Sequence, residues 1–112
     1  MSENITAYSI VDRFLEHARV MIFHNDGDDI YLMGSADWMT RNLDHRVEVL
    51  APIYDKDIQK EIQHMIDLQL NDNVKRRILD EKLSNEYCTS KKEKSENRSQ
   101  IQTYKYFKSL VK

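Results

Sequence analysis

The sequence predicts an α/β (α+β) domain in which a small mixed sheet is packed by helices. Three observations carry that prediction. Short β-branched and apolar runs recur between turn signals in residues 19–50, which is strand patterning. Two longer stretches, near 55–70 and near 98–111, repeat apolar residues at helical spacing. Only two glycines and one proline punctuate 112 residues, so regular structure should be abundant.

Taken in order, residues 1–8 show no periodicity of their own and read as a strand or loop. Ser9 is placed to cap a short helix, with Asp12 in the first turn, where a carboxylate suits the helix dipole. Ile10, Val11, Phe14 and Leu15 would form its apolar face, and it would end near Glu16 or His17. Residues 19–23 read as a buried strand, Asn25-Asp26-Gly27-Asp28 as a turn, and residues 30–33 as the returning strand of a hairpin. Residues 34–42 form a loop. Residues 46–50 alternate as Arg-Val-Glu-Val-Leu, a third strand that Pro52 would stop. Asp55 can cap a helix whose stripe is Ile58, Ile62, Met65, Ile66 and Leu70, and Leu-Asn-Asp-Asn at 70–73 breaks it. Residues 74–79 and the region of Tyr87 are weaker strand candidates. Residues 89–99 are a polar loop, and Ile101, Tyr104, Phe107 and Val111 mark the last helix. No internal repeat or second domain is visible, which leaves one domain over 1–112.

Composition excludes several classes of function. Hydrophobic residues make up 40% and charged residues 32%, as in a soluble globular domain. No apolar run approaches the roughly 20 residues that cross a bilayer, and no signal-peptide hydrophobic region is present. Cys88 is the single cysteine, so an internal disulfide is excluded and a reducing cytoplasm is the default. With 17 basic and 19 acidic residues the net charge is −2, which gives no support for nucleic-acid binding. A grip on any polyanion must come from local cations, of which Arg13, His17, Arg19, Arg41 and Arg46 are the candidates.

His17 and Arg19 stand two residues apart, and on a strand such positions face the same side. Arginine can fork two hydrogen bonds onto a phosphate while histidine supplies or accepts a proton. Gly34 would let backbone approach a ligand closely, and Ser35 would offer a hydroxyl and an amide to a phosphate oxygen. Each of these has a plainer reading. A histidine at a helix C-terminus also serves as a favourable cation for the dipole. Gly34 to Asp37 also suits an ordinary strand-end turn, and Arg41, Asp44, Arg46 and Glu48 could be a solvated charge ladder. Trp38 and Met39 read as packing residues of the loop, and His24 and His64 as surface residues. No metal site, nucleotide phosphate loop or Ser-His-Asp triad is legible.

The order of the elements says more than their spacing. His17-x-Arg19 followed by Gly34-Ser35-x-Asp37 resembles the His-x-Lys … Gly-Ser-x-Asn half-site of the phospholipase D-like fold, with Arg19 in place of lysine and Asp37 in place of asparagine. Those departures point within that fold to a narrower likeness. Residues 2–5, 9–19 and 34–48 closely resemble the last domain of bacterial polyphosphate kinase, of the polyphosphate-synthesising type. The resemblance continues through Asn73-Val74-Lys75 and Leu83-Ser84-Asn85-x-Tyr87 to Tyr104-x-Tyr106-x-Lys108-Ser109-Leu110.

That resemblance implies a phospholipase D-like domain and reversible transfer of the terminal phosphate of ATP to inorganic polyphosphate through a phosphohistidine. It implies that two such domains face each other across the site, with the phosphorylated histidine and the Mg2+ ligands in the preceding one. His17 matches the second, non-phosphorylated histidine, which contacts the ATP phosphates and assists by proton transfer. Arg19 and Ser35 would join His17 in phosphate binding, and Asp37, Arg41 and Arg46 would support them. His24, His45 and His64 lie outside the phosphoacceptor motif, so no phosphoacceptor and no metal ligand is expected in this chain. His45 stands where many relatives carry arginine. The chain reads as a C-terminal fragment without the N-terminal, head and first catalytic C-terminal domains, and is expected to be inactive alone. Expected partners are ATP, polyphosphate and those upstream domains, in a homo-oligomeric cytoplasmic enzyme associated peripherally with the inner membrane. Two other functions fit the same residues: a noncatalytic polyphosphate-binding or assembly module, and a homodimeric phosphodiesterase with His17 as nucleophile.

Overall fold

In chain order the elements are β1 (Tyr8–Ile10), β2 (Val20–Phe23), β3 (Ile30–Gly34), α1 (Thr40–Leu43), β4 (Leu50–Ile53), α2 (Lys56–Leu70), β5 (Arg76–Ile78) and α3 (Ser99–Leu110). The structure, a computed structural model, describes residues 3–89 and 95–111. Glu16–Ile62 form one compact unit, and Met1–Leu15 with Gln63–Lys112 form another. The class is α/β as expected, with the strands in two antiparallel sheets instead of one mixed sheet. No helix among the described residues is long and apolar enough to cross a membrane.

The unit of Glu16–Ile62 is built on the predicted hairpin. β2 pairs antiparallel with β3 from Val20↔Met33 to Phe23↔Ile30. At its tip Asp26 and Gly27 both take positive φ, 46° and 91°, and the Asp28 amide donates to the Asn25 carbonyl at 3.0 Å. Two consecutive left-handed residues are what a tight type I′ turn requires, and an aspartate followed by glycine tolerates them. β4 adds to the other edge of β3, from Tyr31↔Ile53 to Gly34↔Leu50.

β4 corrects the expectation of a strand at 46–50 ended by Pro52. The strand starts at Leu50 and contains Pro52, opposite Leu32. β4 is an edge strand, so one side of its backbone needs no ladder partner and a residue without an N–H is tolerated there. The predicted loop of residues 34–42 likewise gives way at Thr40 to the single helical turn α1, which ends at Leu43.

Asp55 caps α2 as predicted: its Oδ1 accepts from the amides of Asp57 (2.8 Å) and Ile58 (3.2 Å). Buried Gln59 then donates from Nε2 to the Ile53 carbonyl at 2.7 Å, tying the first turn of the helix to the end of β4. Of the predicted stripe, Ile62 is buried, Met65 and Ile66 are half-buried, and Ile58 and Leu70 are largely exposed. Tyr31 and Ile62 are the buried apolar side chains of the described residues, whereas five buried residues are polar: Asn42, Gln59, Asp72, Ser99 and Gln100. Polar pairing therefore organises the interior as much as apolar packing does.

The other unit shows why the expected helix of residues 10–17 does not form. Tyr8, Ser9 and Ile10 pair antiparallel with Ile78, Arg77 and Arg76, so Ser9 lies in a strand and caps nothing. The Phe14 amide donates to Gln100 Oε1 at 2.9 Å, and Gln100 Nε2 donates back to the Phe14 carbonyl at 2.7 Å. One side-chain amide satisfies both backbone groups, which removes the local drive toward helix. Asp12, whose side chain is almost wholly covered, takes a forked pair of bonds from Arg98 Nε (2.8 Å to Oδ2) and Nη2 (2.5 Å to Oδ1). β5 appears where the weaker strand was predicted, and Tyr87 makes an isolated bridge to Arg77.

α3 is held chiefly by its first turn, where Ser99 and Gln100 are buried; of the predicted stripe Ile101 is half-buried, whereas Tyr104, Phe107 and Val111 are exposed. His64 lies against Tyr106 with ring centroids 4.2 Å apart. Of the polar loop expected at 89–99, residues 90–94 lie outside the described residues, and Ser99 already belongs to α3.

Gly34, where β3 passes into the loop, lies close against β4. A Cβ there would sit 2.7 Å from the Val49 carbonyl oxygen and 2.8 Å from Leu50 Cδ1. Gly34→Ala must push β4 away from β3 and is expected to destabilise by about 1–3 kcal/mol in a denaturant titration. A shift of only a few tenths of a kcal/mol would show that β4 yields freely.

Candidate functional site

β2 begins at Val20, so His17 and Arg19 lie before the strand and do not alternate along it. A different device relates them. The Arg19 carbonyl accepts from the Gly34 amide at 3.0 Å, which fixes the backbone just ahead of β2. The Arg19 guanidinium donates from Nε (2.8 Å) and Nη2 (2.6 Å) to Asp37 Oδ1, and from Nη1 to the His17 carbonyl. Arg19 thus joins the loop after β3 to the backbone of His17. The two departures from the phospholipase D-like motif, arginine for lysine and aspartate for asparagine, meet in this one half-buried ion pair. Two guanidinium nitrogens converging on one carboxylate oxygen fix the arginine's position as well as pairing its charge.

The His17 side chain is exposed, and among the described residues it has no hydrogen-bond partner or ion pair. No helix ends at His17, so the reading of it as a dipole cation has no helix to act on. Its carbonyl is held by Arg19 while its ring stays exposed.

Ser35 is placed beside this pair and is fully engaged. Its amide donates to the Val49 carbonyl at 3.1 Å, its Oγ donates to Glu48 Oε2 at 2.5 Å, and the Val49 amide donates to that Oγ at 3.3 Å. Asn42, buried in α1, donates from Nδ2 to Glu48 Oε1 at 2.9 Å. Hydrogen bonds from Ser35 and Asn42, with help from the charge of Arg46, hold the Glu48 carboxyl below the ordinary glutamate range; burial and Asp37 oppose them. Glu48 is therefore the clasp of the 35–48 loop and not a rung of a solvated ladder. Glu48 and Asn42 were absent from the expected site. The available signal was an acid lodged between Val47 and Val49, inside an otherwise apolar alternation.

Arg41, in α1, and Arg46 are exposed and make no hydrogen bond or ion pair among the described residues. They are cations with free donors on the same unit as His17. Arg13 belongs to the other unit and lies over the Phe14 ring, 5.7 Å from its centroid. His24 bonds Asp29 at 3.0 Å beside the hairpin turn. Among the described residues no group of three or more His, Cys, Asp or Glu side chains could hold a metal ion.

An apolar groove of about 420 Å3 opens beside the Arg19–Asp37 pair, with Met21, Trp38, Leu43, Val49 and Leu50 in its walls. Arg19 and Glu48 are the ionised side chains that reach it, and each is already paired.

Comparison with known proteins gives a consistent likeness. Residues 1–100 match the family described as Polyphosphate kinase C-terminal domain 2. The chain is 48% identical over its 112 residues to the polyphosphate kinase of Vibrio parahaemolyticus, and 46% identical over 110 residues to that of Escherichia coli strain K12. It spans 16% of the length of each of these relatives. The crystal structure of polyphosphate kinase from Porphyromonas gingivalis superposes on 96% of this chain and 16% of its own, with a TM-score of 0.90 at 38% identity.

Proposed function

The chain belongs to the polyphosphate kinase family as a C-terminal domain 2, and we propose that it supplies the half of an ATP–polyphosphate phosphotransfer site that is not phosphorylated. His17 is the acting residue in this reading. The observation that carries it is the contrast at His17: its carbonyl is held by Arg19 while its ring remains exposed and unpaired among the described residues.

Phosphoryl transfer asks little covalent chemistry of a protein. Positioning and stabilisation of charge on the transferring oxygens supply most of the rate. In the proposed cycle the terminal phosphoryl of ATP passes to a histidine outside this chain, ADP departs, and the phosphoryl passes on to the end of polyphosphate. His17 would bind a phosphate oxygen and give or take the proton at the leaving or attacking oxygen. A positioned acid or base of this kind is worth roughly 10²–10⁴-fold. Asp37 would keep Arg19 in place, and Arg19 would keep the His17 backbone in place. Arg41 and Arg46, with donors free among the described residues, would attract the polyanion. Ser35, whose donors are engaged by Val49 and Glu48, would support the loop and reach a phosphate only by exchanging those bonds. On this reading magnesium is held by ligands in the preceding domain of the complete cytoplasmic, homo-oligomeric enzyme.

The test uses the purified chain. Incubated with labelled ATP, it should form no acid-labile phosphohistidine and should not lengthen polyphosphate. A full-length relative whose corresponding segment is replaced by these 112 residues should do both. Robust turnover by the chain alone, or a well-folded chimera without activity, would overturn the assignment. Free Arg41 and Arg46 also favour a second reading, a noncatalytic polyphosphate-binding module. Its signature would be salt-sensitive binding in a chimera indifferent to His17.

A further inference from the structure

Asn42 takes no direct part in the proposed cycle, yet the segment that carries the two free cations hangs on it. Across residues 38–50 Asn42 is buried, at 4% exposure, Glu48 is half-buried, and all the others are exposed. The single turn α1 has little support of its own. Its N-cap, Met39, makes no side-chain cap bond, and no acidic residue stands in its first turn. The Asn42 and Leu43 amides donate to the Met39 carbonyl and the Asp44 amide to the Thr40 carbonyl, all within the turn. One isolated turn does not persist on such bonds. What ties it to the sheet is Asn42 Nδ2 on Glu48 Oε1 at 2.9 Å, while Glu48 Oε2 takes the Ser35 hydroxyl just beyond β3.

This tie is not the most stable filling for the position. Asn42 Oδ1 is buried without a hydrogen-bond partner among the described residues. A buried unpaired acceptor costs stability, and turning the amide over would set that oxygen against the Glu48 carboxylate. A residue that breaks a local rule in this way points to a task other than stability.

The cations show which task. Arg41 directly precedes Asn42, and Arg46 lies two residues before Glu48, near enough for its charge to act on that carboxyl. Both are exposed, with no hydrogen bond or ion pair among the described residues. The Asn42–Glu48 bond closes the loop of residues 42–48 and so fixes the backbone from which both side chains project.

We propose that Asn42 is a positioning residue for polyphosphate binding: through Glu48 it holds α1 and the following turn so that Arg41 and Arg46 meet the same polyanion. This rests on the reading of the chain as half of an ATP–polyphosphate phosphotransfer site. Asn42 touches no substrate itself. Its contribution is that the arginines need not be ordered when the polyanion arrives.

The test measures ATP formation from ADP and polyphosphate by the full-length chimera described above. Asn42→Ala should raise KM for polyphosphate about fivefold or more and change kcat less than about twofold, as expected when binding is lost and the chemical step is spared. The slope of log KM against log salt should shrink by about one, because one cation no longer meets the polyanion. Arg41→Ala should raise KM about fivefold in the wild-type background and less than about twofold in the Asn42→Ala background, since groups that share one support are not additive. Asn42→Asp, equal in shape but set against Glu48 by its charge, should repeat the Asn42→Ala result. KM does not depend on how much enzyme is folded, so a variant that merely folds poorly loses total activity with KM and salt slope unchanged. That outcome, additive effects of Asn42→Ala and Arg41→Ala, or a fall in kcat at constant KM each overturns the inference and leaves the domain assignment standing. An unmutated chimera that folds but has no activity removes the assignment itself, and the inference with it.

Discussion

Asp72→Ala is expected to destabilise this chain by about 3–5 kcal/mol, more than any other single substitution considered for its fold. Asp72 is 0% exposed and lies just beyond α2. Its Oδ1 accepts from the amides of Val74 (2.8 Å), Lys75 (2.7 Å) and Arg76 (3.2 Å), and its Oδ2 accepts from the Ser99 amide (2.7 Å). One carboxylate therefore shapes the turn into β5 and caps α3, whose first amide would otherwise be an orphan. Alanine strands these N–H groups, three of them half-buried and that of Ser99 buried, at about 1–3 kcal/mol for each one that stays dry. Partial rehydration keeps the total below the simple sum. Asp72→Asn keeps the shape but turns one acceptor into a donor facing an amide, so it should lose about half as much. Urea titrations at neutral pH decide the matter, and a loss under about 1 kcal/mol for alanine would show that these amides find other partners.

The same carboxylate gives acid unfolding a definite sign. Burial pushes the Asp72 carboxyl up, but the amides of Lys75, Ser99 and Val74 together outweigh it and hold the group below its ordinary 3.8. Asp12 is lowered as well, chiefly by its hydrogen bonds from Arg98. A carboxyl depressed in the folded state stabilises fully above its unfolded value and loses that contribution as pH falls through the folded value. Stability should thus be insensitive to these two groups near neutrality and should decline below about pH 4. In Asp72→Asn the decline should be shallower, because one of the two titrating groups is gone.

How far the fold was legible depended on how local its determinants are. The hairpin of β2 and β3 is written in strand patterning plus one Asp-Gly turn, and α2 in an aspartate cap followed by a stripe. β1 could not be read in that way. Residues 10–15 have helical spacing, yet Ile10 pairs with Arg76, the Phe14 backbone is taken by Gln100, and Asp12 is claimed by Arg98. Pro52 looked like a strand stop, and only the edge position of β4 makes it admissible within one. At the site, a motif brought out His17, Arg19, Ser35 and Asp37. Their pairings were not legible, because composition cannot say that Ser35 faces Glu48 or that Arg19 closes on Asp37. Glu48 was hidden for the same reason. Its role exists only once the 35–48 loop has brought it to Ser35 and Asn42.

The largest effect on activity is expected at His17. In a full-length enzyme that carries this domain, His17→Ala should lower kcat by roughly 10²–10⁴-fold. Stability should change by no more than about 0.5 kcal/mol, because the side chain is exposed and unpaired among the described residues. That separation matters, since a loss of activity through misfolding would move both. If His17 acts in the transition state, kcat and kcat/KM for ATP should fall together while KM changes little. If it only grips the ground-state phosphates, KM should rise and kcat should hold. His17→Gln discriminates further: its amide can still hydrogen-bond a phosphate oxygen but cannot exchange a proton near neutral pH. Proton transfer predicts that glutamine is nearly as damaging as alanine and that one limb of the pH–rate profile disappears. Simple phosphate binding predicts that glutamine rescues most of the rate. Arg19→Lys adds a control on geometry, since lysine keeps the charge but cannot join Asp37 and the His17 carbonyl through one planar fork. It should lower kcat less than His17→Ala and leave the pH limb in place. Turnover unchanged in His17→Ala would remove this residue from the mechanism and turn attention to Arg41 and Arg46 as binding groups alone.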